Sequence, residues 1–326
     1  MSQGIIHSVI VPLYNEELVI DESYRRLKAV MDSTNEKYEI IFINDGSKDR
    51  TKLKADVICK KDKNIKLINF SRNFGHQAAI TAGMDIALGD AIIVIDADLQ
   101  DPPEVMLKMI EKWKEGYEVV YGKRAKREGE TFFKKFSAKM FYRILKSMSS
   151  VDIPVDTGDF RLIDRKVCDS LKSLPEKNRY VRGLVSWVGY KQTFVEFVRQ
   201  ERFAGETKYP LKKMIKLAVD GITSLSYKPL ALAGYLGGIT LTLGGISLII
   251  NIVKAIVNNL SVINIETMFS MNLIMFGLIF CVLGMLGQYI GRIFDESKGR
   301  PIYIVESITS YREEQENNEL RKISNQ

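Results

Sequence analysis

Apolar residues fall along the first 125 positions in short, dense runs: Ile5–Val11, Tyr38–Ile43, Ile65–Phe70, Ala91–Ile95 and Glu118–Tyr121. Between them, Leu18–Met31, Gln77–Leu88 and Glu104–Lys114 carry their apolar residues at helical spacing. Near-continuous apolar strands suit a parallel sheet covered by helices on both faces. The alternation therefore predicts an α/β domain with a mostly parallel sheet. Ligands of such sheets bind beyond the carboxyl ends of the strands. The early runs do end in polar or Gly/Pro residues: Pro12–Glu16, Asn44–Ser47, Ser71–Asn73 and Asp96–Asp98.

The pattern changes after position 130. Residues 131–149 place Phe132, Phe133, Phe136, Met140 and Phe141 at helical spacing, with Lys134, Lys135, Lys139, Arg143 and Lys146 over much of the remainder. A basic amphipathic helix with large aromatics suits a membrane interface; the competing reading is a helix packed on the domain core. Residues 209–228 repeat the pattern with Lys212, Lys213 and Lys216. Two uncharged runs follow, Leu230–Val253 and Phe269–Ile290. Each exceeds the roughly 20 residues that cross a bilayer core. Lysines and arginines flank the outer ends, while the loop between offers Lys254 alone. The positive-inside rule then predicts a two-helix hairpin with the catalytic domain and both termini in the cytoplasm. The alternative, two buried core helices, suits uncharged runs of this length poorly. The expected organisation is a catalytic domain over 1–208, a juxtamembrane helix over 209–228, the hairpin over 229–292 and a C-terminal segment over 293–326.

Composition adds partners and compartment. Lys+Arg is 47 against Asp+Glu 40, a net charge of +7 in 326 residues. With apolar stretches present, that balance points to anionic lipid or phosphate rather than nucleic acid. Cys59, Cys168 and Cys281 are scattered and suggest neither a disulfide framework nor a zinc site, which fits a reducing compartment. Ile5–Val11 is too short for a signal peptide.

The candidate chemistry centres on Asp96-Ala97-Asp98, where an apolar strand runs into two carboxylates before Pro102 and Pro103. Hard oxygen donors at a strand end can hold a divalent cation against a diphosphate. Asp98 is the first choice for direct ligation. Asp96 would bind the metal through water or hold a ribose, and Gln100 follows on the same face. The competing reading is a turn or helix cap. No Gly-x-Gly-x-x-Gly motif follows a strand, and Gly122-Lys123 is followed by Arg124 rather than Ser or Thr, so no Walker loop is present.

Val11–Glu17, Asn44–Ser47 and Asp96–Asp98 resemble the family 2 glycosyltransferases of GT-A fold. With Ser71–His76, Asp156–Leu162, Arg202–Tyr209 and the two apolar runs, the chain is similar to the polyprenyl-phosphate glycosyltransferases. The bactoprenol glucosyltransferase branch is nearest, with dolichol-phosphate mannose synthases more distant. The resemblance reaches to Ile304. It implies that Pro12, Tyr14, Glu16, Asp45 and Asp96 line the nucleotide pocket. Asp96, Asp98 and Gln100 would hold Mg²⁺ or Mn²⁺. Asp156 and Asp159 would lie near the sugar and acceptor, and Arg202 and Lys208, helped by Arg124 and Arg127, would contact phosphates. A plain Asp-Gly turn at Asp45 and a plain loop at 156–158 are the structural alternatives. His76 is read as a loop residue and His7 as having no catalytic role.

The implied reaction moves a sugar from a nucleoside diphosphate sugar, UDP-glucose first, to polyprenyl (undecaprenyl) phosphate with inversion, for cell-envelope glycan modification. A phosphate monoester has a second pKa of about 6 and is already largely ionised at neutral pH, so Asp159 is expected to orient groups rather than take a proton. UDP-N-acetylglucosamine and GDP-mannose are the other donors considered. A processive polysaccharide synthase is disfavoured, since no Gln-x-x-Arg-Trp sequence is present. A non-enzymatic membrane scaffold is disfavoured by the intact carboxylate and basic motifs. The resemblance also implies a homo-oligomer, a tetramer, working with a flippase and a downstream transferase.

Overall fold

Strand β1 (His7–Leu13) is buried along its whole length. Its side chains alternate between two cores, as strand geometry requires: Val9, Val11 and Leu13 enter one and Ile10 the other. The computed structural model describes residues 4–125, 157–200 and 265–311, with single positions at 239, 242, 246 and 257. Strands β2 (Tyr38–Asn44), β3 (Ile65–Phe70) and β4 (Ala91–Val94) join β1 in parallel. The sheet is completed by β5 (Val119–Arg124), β6 (Thr157–Asp164), β7 (Gln192–Phe197) and β8 (Val305–Ser310). Its order is β7-β5-β6-β4-β1-β2-β3-β8. Strand β6 runs against β4 and β5, and β8 runs against β3.

Helices cover both faces. On one lie α1 (Ile20–Ser33), α2 (Thr51–Lys61) and α4 (Val105–Lys114). On the other lie α3 (His76–Ile86), α5 (Arg165–Ser173) and α6 (Val181–Trp187). Helix α3 lies so close to β1 that a Cβ on Gly83 would meet Ile10 Cγ2 at 2.3 Å. Because α3 follows β3 and runs back along the sheet, its amino end, with His76, lies at the carboxyl edge.

The sequence pattern marks β1 to β5 and α1, α3 and α4 within a few residues of where they stand. It does not mark β6, β7 or β8. Strand β6 begins at Thr157, so the plain loop considered for 156–158 is in part a strand. Strand β8 brings the chain back onto the catalytic sheet beside β3. Tyr303 stacks on Phe70 at 5.1 Å, and Lys52 pairs with Glu306 at 2.8 Å.

Helix α7 (Ile265–Ser297) precedes β8. Thirty-three residues make a rod of about 50 Å. It contains the second uncharged run and exposes Met275, Phe276, Ile279, Leu283 and Ile290. Its last turn is tied to the catalytic domain, where Glu296 Oε1 accepts the N–H groups of Lys177 (2.7 Å) and Asn178 (3.1 Å). Among the described residues no helix is long and apolar enough to cross a membrane. The expected helices at 131–149 and 209–228 lie outside the described residues. So does the first uncharged run, apart from positions 239, 242 and 246.

Candidate active site

The carboxyl ends of β1, β2 and β4 meet along one edge of the sheet. After β1, Pro12 is buried, Tyr14 is 36% exposed and Asn15 takes a left-handed backbone with φ 53°. Asn15 Oδ1 accepts the Lys48 N–H at 2.8 Å, and its own N–H donates to Ser47 Oγ at 3.0 Å. The Glu16 N–H donates to Thr51 Oγ1 at 2.7 Å. The segment holding Tyr14 and Glu16 is thus laced to the turn that follows β2.

Asp45 in that turn is buried. Its carboxylate accepts the N–H of Phe74 at 2.6 Å and of Gly75 at 3.0 Å. Burial pushes its pKa up against the pull of those two N–H groups. Asp45 therefore shapes the β3–α3 loop. Gly46 beside it has φ 64°, and a Cβ there would meet the backbone of Arg72 and Asn73 at 2.5 Å. Gly46→Ala is expected to destabilise the fold by at least about 1–3 kcal/mol, from the left-handed φ alone. Thermal unfolding and nucleoside diphosphate binding, compared with wild type, measure it; an unchanged midpoint would contradict the close approach.

The acidic pair follows β4. Asp98 is 9% exposed, and its Oδ1 accepts the Gln100 N–H at 3.1 Å across Leu99, whose φ is 59°. Gln100 is held from the other side: Oε1 accepts from Arg199 Nη2 at 2.7 Å, and its carbonyl accepts the Gln200 N–H at 2.9 Å. Asp101, 2% exposed, lies 3.4 Å from Arg124 and 3.8 Å from Arg199. Burial raises the Asp101 pKa against those two arginines.

A second cluster gathers on Asp159 of β6, which is 5% exposed. Arg182 of α6 grips it with both arms of its fork, Nε to Oδ1 at 2.9 Å and Nη2 to Oδ2 at 2.7 Å. Arg161, buried beneath, reaches Oδ1 at 3.5 Å. His76 Nε2 lies 3.3 Å from Asp159 and 3.5 Å from Asp96, bridging β6 to the acidic pair. Burial alone would lower the His76 pKa, but Asp96 and Asp159 push it up to about 9, so the ring is cationic at neutral pH. Burial alone would raise Asp159; Arg182 and then His76 hold it well below the ordinary carboxylate range. Asp96 moves the other way. Burial, although 35% of its side chain still meets solvent, and the nearby carboxylates push it up to about 6 against His76.

Among the described residues the two clusters bring four carboxylates and five cationic side chains together. That balance suits anionic ligands. The donor set also fits a divalent cation, since Asp96 and Asp98 offer hard oxygens and Mg²⁺ is commonly held by one or two carboxylates completed by substrate phosphates. Among the described residues no group of three or more His, Cys, Asp or Glu side chains is placed to hold a metal ion unaided.

The structure thus brings Asp96, Asp98, Gln100, Arg124 and Asp159 to one cleft, with Pro12, Tyr14, Glu16 and Asp45 along the same sheet edge. Asp156, Arg127, Arg202 and Lys208 lie outside the described residues. His7 is buried at the opposite end of β1, bonded to Glu36 at 2.5 Å, where burial lowers its pKa. Arg161, Arg182 and Arg199 also join the site without any role readable in the sequence, and His76, expected as a loop residue, bridges two carboxylates. Only Arg161 and His76 stand in segments that the motif reading had marked.

The sheet gathers an acidic pair and two arginine–carboxylate clusters at one edge, a charge pattern that suits anionic ligands. Residues 8–172 match the domain described as glycosyl transferase family 2. The chain is similar to YkcC, an uncharacterized glycosyltransferase of Bacillus subtilis strain 168, with 59% identity over 309 residues, 94% of this chain and 95% of that one. It is 39% identical to a prophage bactoprenol glucosyl transferase homolog of Escherichia coli strain K12 over 301 residues, 92% of this chain and 98% of that one. A solved structure of glucosyl-3-phosphoglycerate synthase from Mycobacterium tuberculosis with uridine diphosphate has a TM-score of 0.48 at 18% identity, covering 68% of this chain and 79% of that one. The chain belongs to glycosyl transferase family 2. It is a glycosyltransferase with an α/β domain.

Proposed function

We propose that this glycosyltransferase moves glucose from UDP-glucose to a polyprenyl phosphate at the cytoplasmic face of a membrane. The observation that carries the reading is the pair of arginine–carboxylate clusters beside Asp96 and Asp98, one reached through His76 and the other through Gln100. Two anionic groups must meet in this reaction, the leaving diphosphate and the acceptor phosphate. A cleft with two cationic clusters suits that demand better than one for a neutral acceptor. The relative named as a bactoprenol glucosyl transferase homolog supports both the lipid acceptor and glucose.

The membrane location draws support from the topology. The chain leaves the described catalytic domain after Gln200 and returns to its sheet at Val305. Any bilayer crossing between those points must be matched by a return. Leu230–Val253 and Phe269–Ile290 supply two uncharged runs, an even number, so a hairpin satisfies the constraint.

Asp96 and Asp98 would supply hard carboxylate oxygens to a divalent cation. A bound Mg²⁺ or Mn²⁺ would neutralise charge on the departing diphosphate. Asp45 and the 72–75 loop shape the nucleotide end of the cleft. Arg124 and Arg199, braced by Asp101 and Gln100, add positive charge where phosphate oxygens gather. The acceptor phosphate arrives ionised and attacks the anomeric carbon in one displacement.

The test is a donor screen with purified full-length protein and a short polyprenyl phosphate, read by mass spectrometry of the lipid. The expected product carries one hexose, forms from UDP-glucose and disappears when the metal is chelated. A product formed only from UDP-N-acetylglucosamine or GDP-mannose would overturn the donor. Absence of any lipid product with every donor would overturn the acceptor.

A further inference from the structure

The carboxylate of Asp159 is fully engaged. Arg182 takes one direction on each oxygen, at 2.9 and 2.7 Å. Arg161 approaches Oδ1 at 3.5 Å and His76 approaches Oδ2 at 3.3 Å. A carboxylate has about four lone-pair sites, and these four approaches use them. While this arrangement stands, Asp159 has no site left for a sugar hydroxyl or an incoming proton. Its partners are then the groups to consider for substrate contact.

Arg182 and Asp159 are buried unequally. The carboxylate side chain is 5% exposed and the guanidinium side chain 25%. A brace that served the fold alone would gain from hiding both. Here the anion is sealed inside and the cation keeps an outer side. Two N–H groups of its planar fork are fixed by the Asp159 carboxylate. The element that carries Arg182 is also fixed. The Val181 N–H donates at 3.0 Å to Oε1 of Gln77, the residue after His76. Helix α6 is thereby tied to α3 beside the acidic pair.

We propose that Arg182 binds a phosphate oxygen of the substrate, and that Asp159 is the positioning residue that holds its guanidinium in plane for that contact. The proposal rests on the reading above that phosphate-bearing substrates meet in this cleft. A pre-ordered arginine fork loses little rotamer freedom when the phosphate arrives, and arginine matches phosphate geometry with paired bonds. The phosphate belongs either to the donor's diphosphate or to the acceptor. The chemistry is the same, and kinetics separate the two.

The experiment varies UDP-glucose and a short polyprenyl phosphate independently, with the full chain in detergent and Mg²⁺ or Mn²⁺ present. Wild type is compared with Arg182→Ala and Arg182→Lys. Losing a charged hydrogen bond should raise the KM of one substrate about 10- to 100-fold, while the other stays within about twofold. Lysine restores part of the loss, because it keeps the charge and loses the fork. Millimolar guanidinium added to Arg182→Ala should lower the raised KM, a rescue that a purely structural brace would not show. The substrate whose KM moves names the phosphate. Unchanged KM values for both, with only kcat or the melting midpoint reduced, overturn the proposal. Should the alanine variant fail to fold, the lysine variant decides by the same KM comparison. If wild type forms no product, the reading of the function fails. Equilibrium binding of UDP and of polyprenyl phosphate to wild type and Arg182→Lys then still decides the arginine: weakened binding of one supports it and equal binding of both overturns it.

Discussion

Replacing Asp98 with alanine should lower sugar transfer by about 10³-fold or more, on the scale seen when a main electrostatic stabiliser of departing charge is removed. The local structure supports so large an effect. Asp98 lies in the loop that follows β4, and it is fixed rather than loosely placed. Its Oδ1 takes the Gln100 N–H at 3.1 Å, and the intervening Leu99 is held at φ 59°, uncommon for a branched apolar residue. Leu99 is itself 2% exposed, so packing enforces the turn that aims the carboxylate. Backbone strain retained at such a point is consistent with a functional demand on geometry. Asp98→Asn should lose nearly as much, because an amide keeps the size and gives up the charge that a cation needs. The measurement is nucleoside diphosphate release with acceptor present, alongside thermal unfolding to show that the variant is folded. A folded Asp98→Ala protein with turnover within about threefold of wild type would remove Asp98 from the diphosphate end of the mechanism.

The same loop shows what a sequence reveals and what it hides. Strands β1 to β4 are legible because each is buried on both faces and carries a dense apolar run at its centre, such as Ile40–Ile43 and Ile92–Val94. The acidic pair is legible because it interrupts such a run. Strand β6 is hidden for the opposite reason. Its Asp159 and Arg161 are buried yet polar, since they face the site, so the segment lacks the apolar signature of a central strand. Strand β8 is an edge strand, and Val305-Glu306-Ser307-Ile308-Thr309-Ser310 shows weak alternation and no dense run. Its partner strand lies more than 200 positions earlier, beyond any local pattern. Arg182 and Arg199 stand alone in segments with no motif. Only folding shows that one arrives at Asp159 and the other at Gln100. A single histidine after Phe74-Gly75 gives no hint of the carboxylates that meet His76 from two other elements.

Asp159→Asn is the second change expected to have a large effect, chiefly on stability. The carboxylate is shared by Arg182, Arg161 and His76, and removing it strands cations in a region that is mostly closed to water. Breaking a buried ion pair from one side costs about 3–5 kcal/mol. The pH dependence has a definite sign. The folded pKa of Asp159 is depressed well below the usual range, so its contribution is fully present above the unfolded value of about 3.9. It is lost as pH falls through the folded pKa. The stability gap between wild type and Asp159→Asn should therefore be widest near neutrality and close only in strong acid. Chemical unfolding at pH 7 and at stepwise lower pH reads this directly. Transfer should fall less than stability suggests. A carboxylate held so far below the working pH is a poor proton acceptor, and the acceptor phosphate needs none. The folded fraction of the variant should keep measurable turnover, with the acidic limb of its rate profile unmoved. His76, having lost one of its two carboxylates, should release its proton below the wild-type value of about 9. Folded variant protein with transfer at background and its acidic limb gone would instead make Asp159 the base. The clamp on Arg182 would then have to open before every turnover, because a carboxylate cannot accept a proton while four donors occupy it.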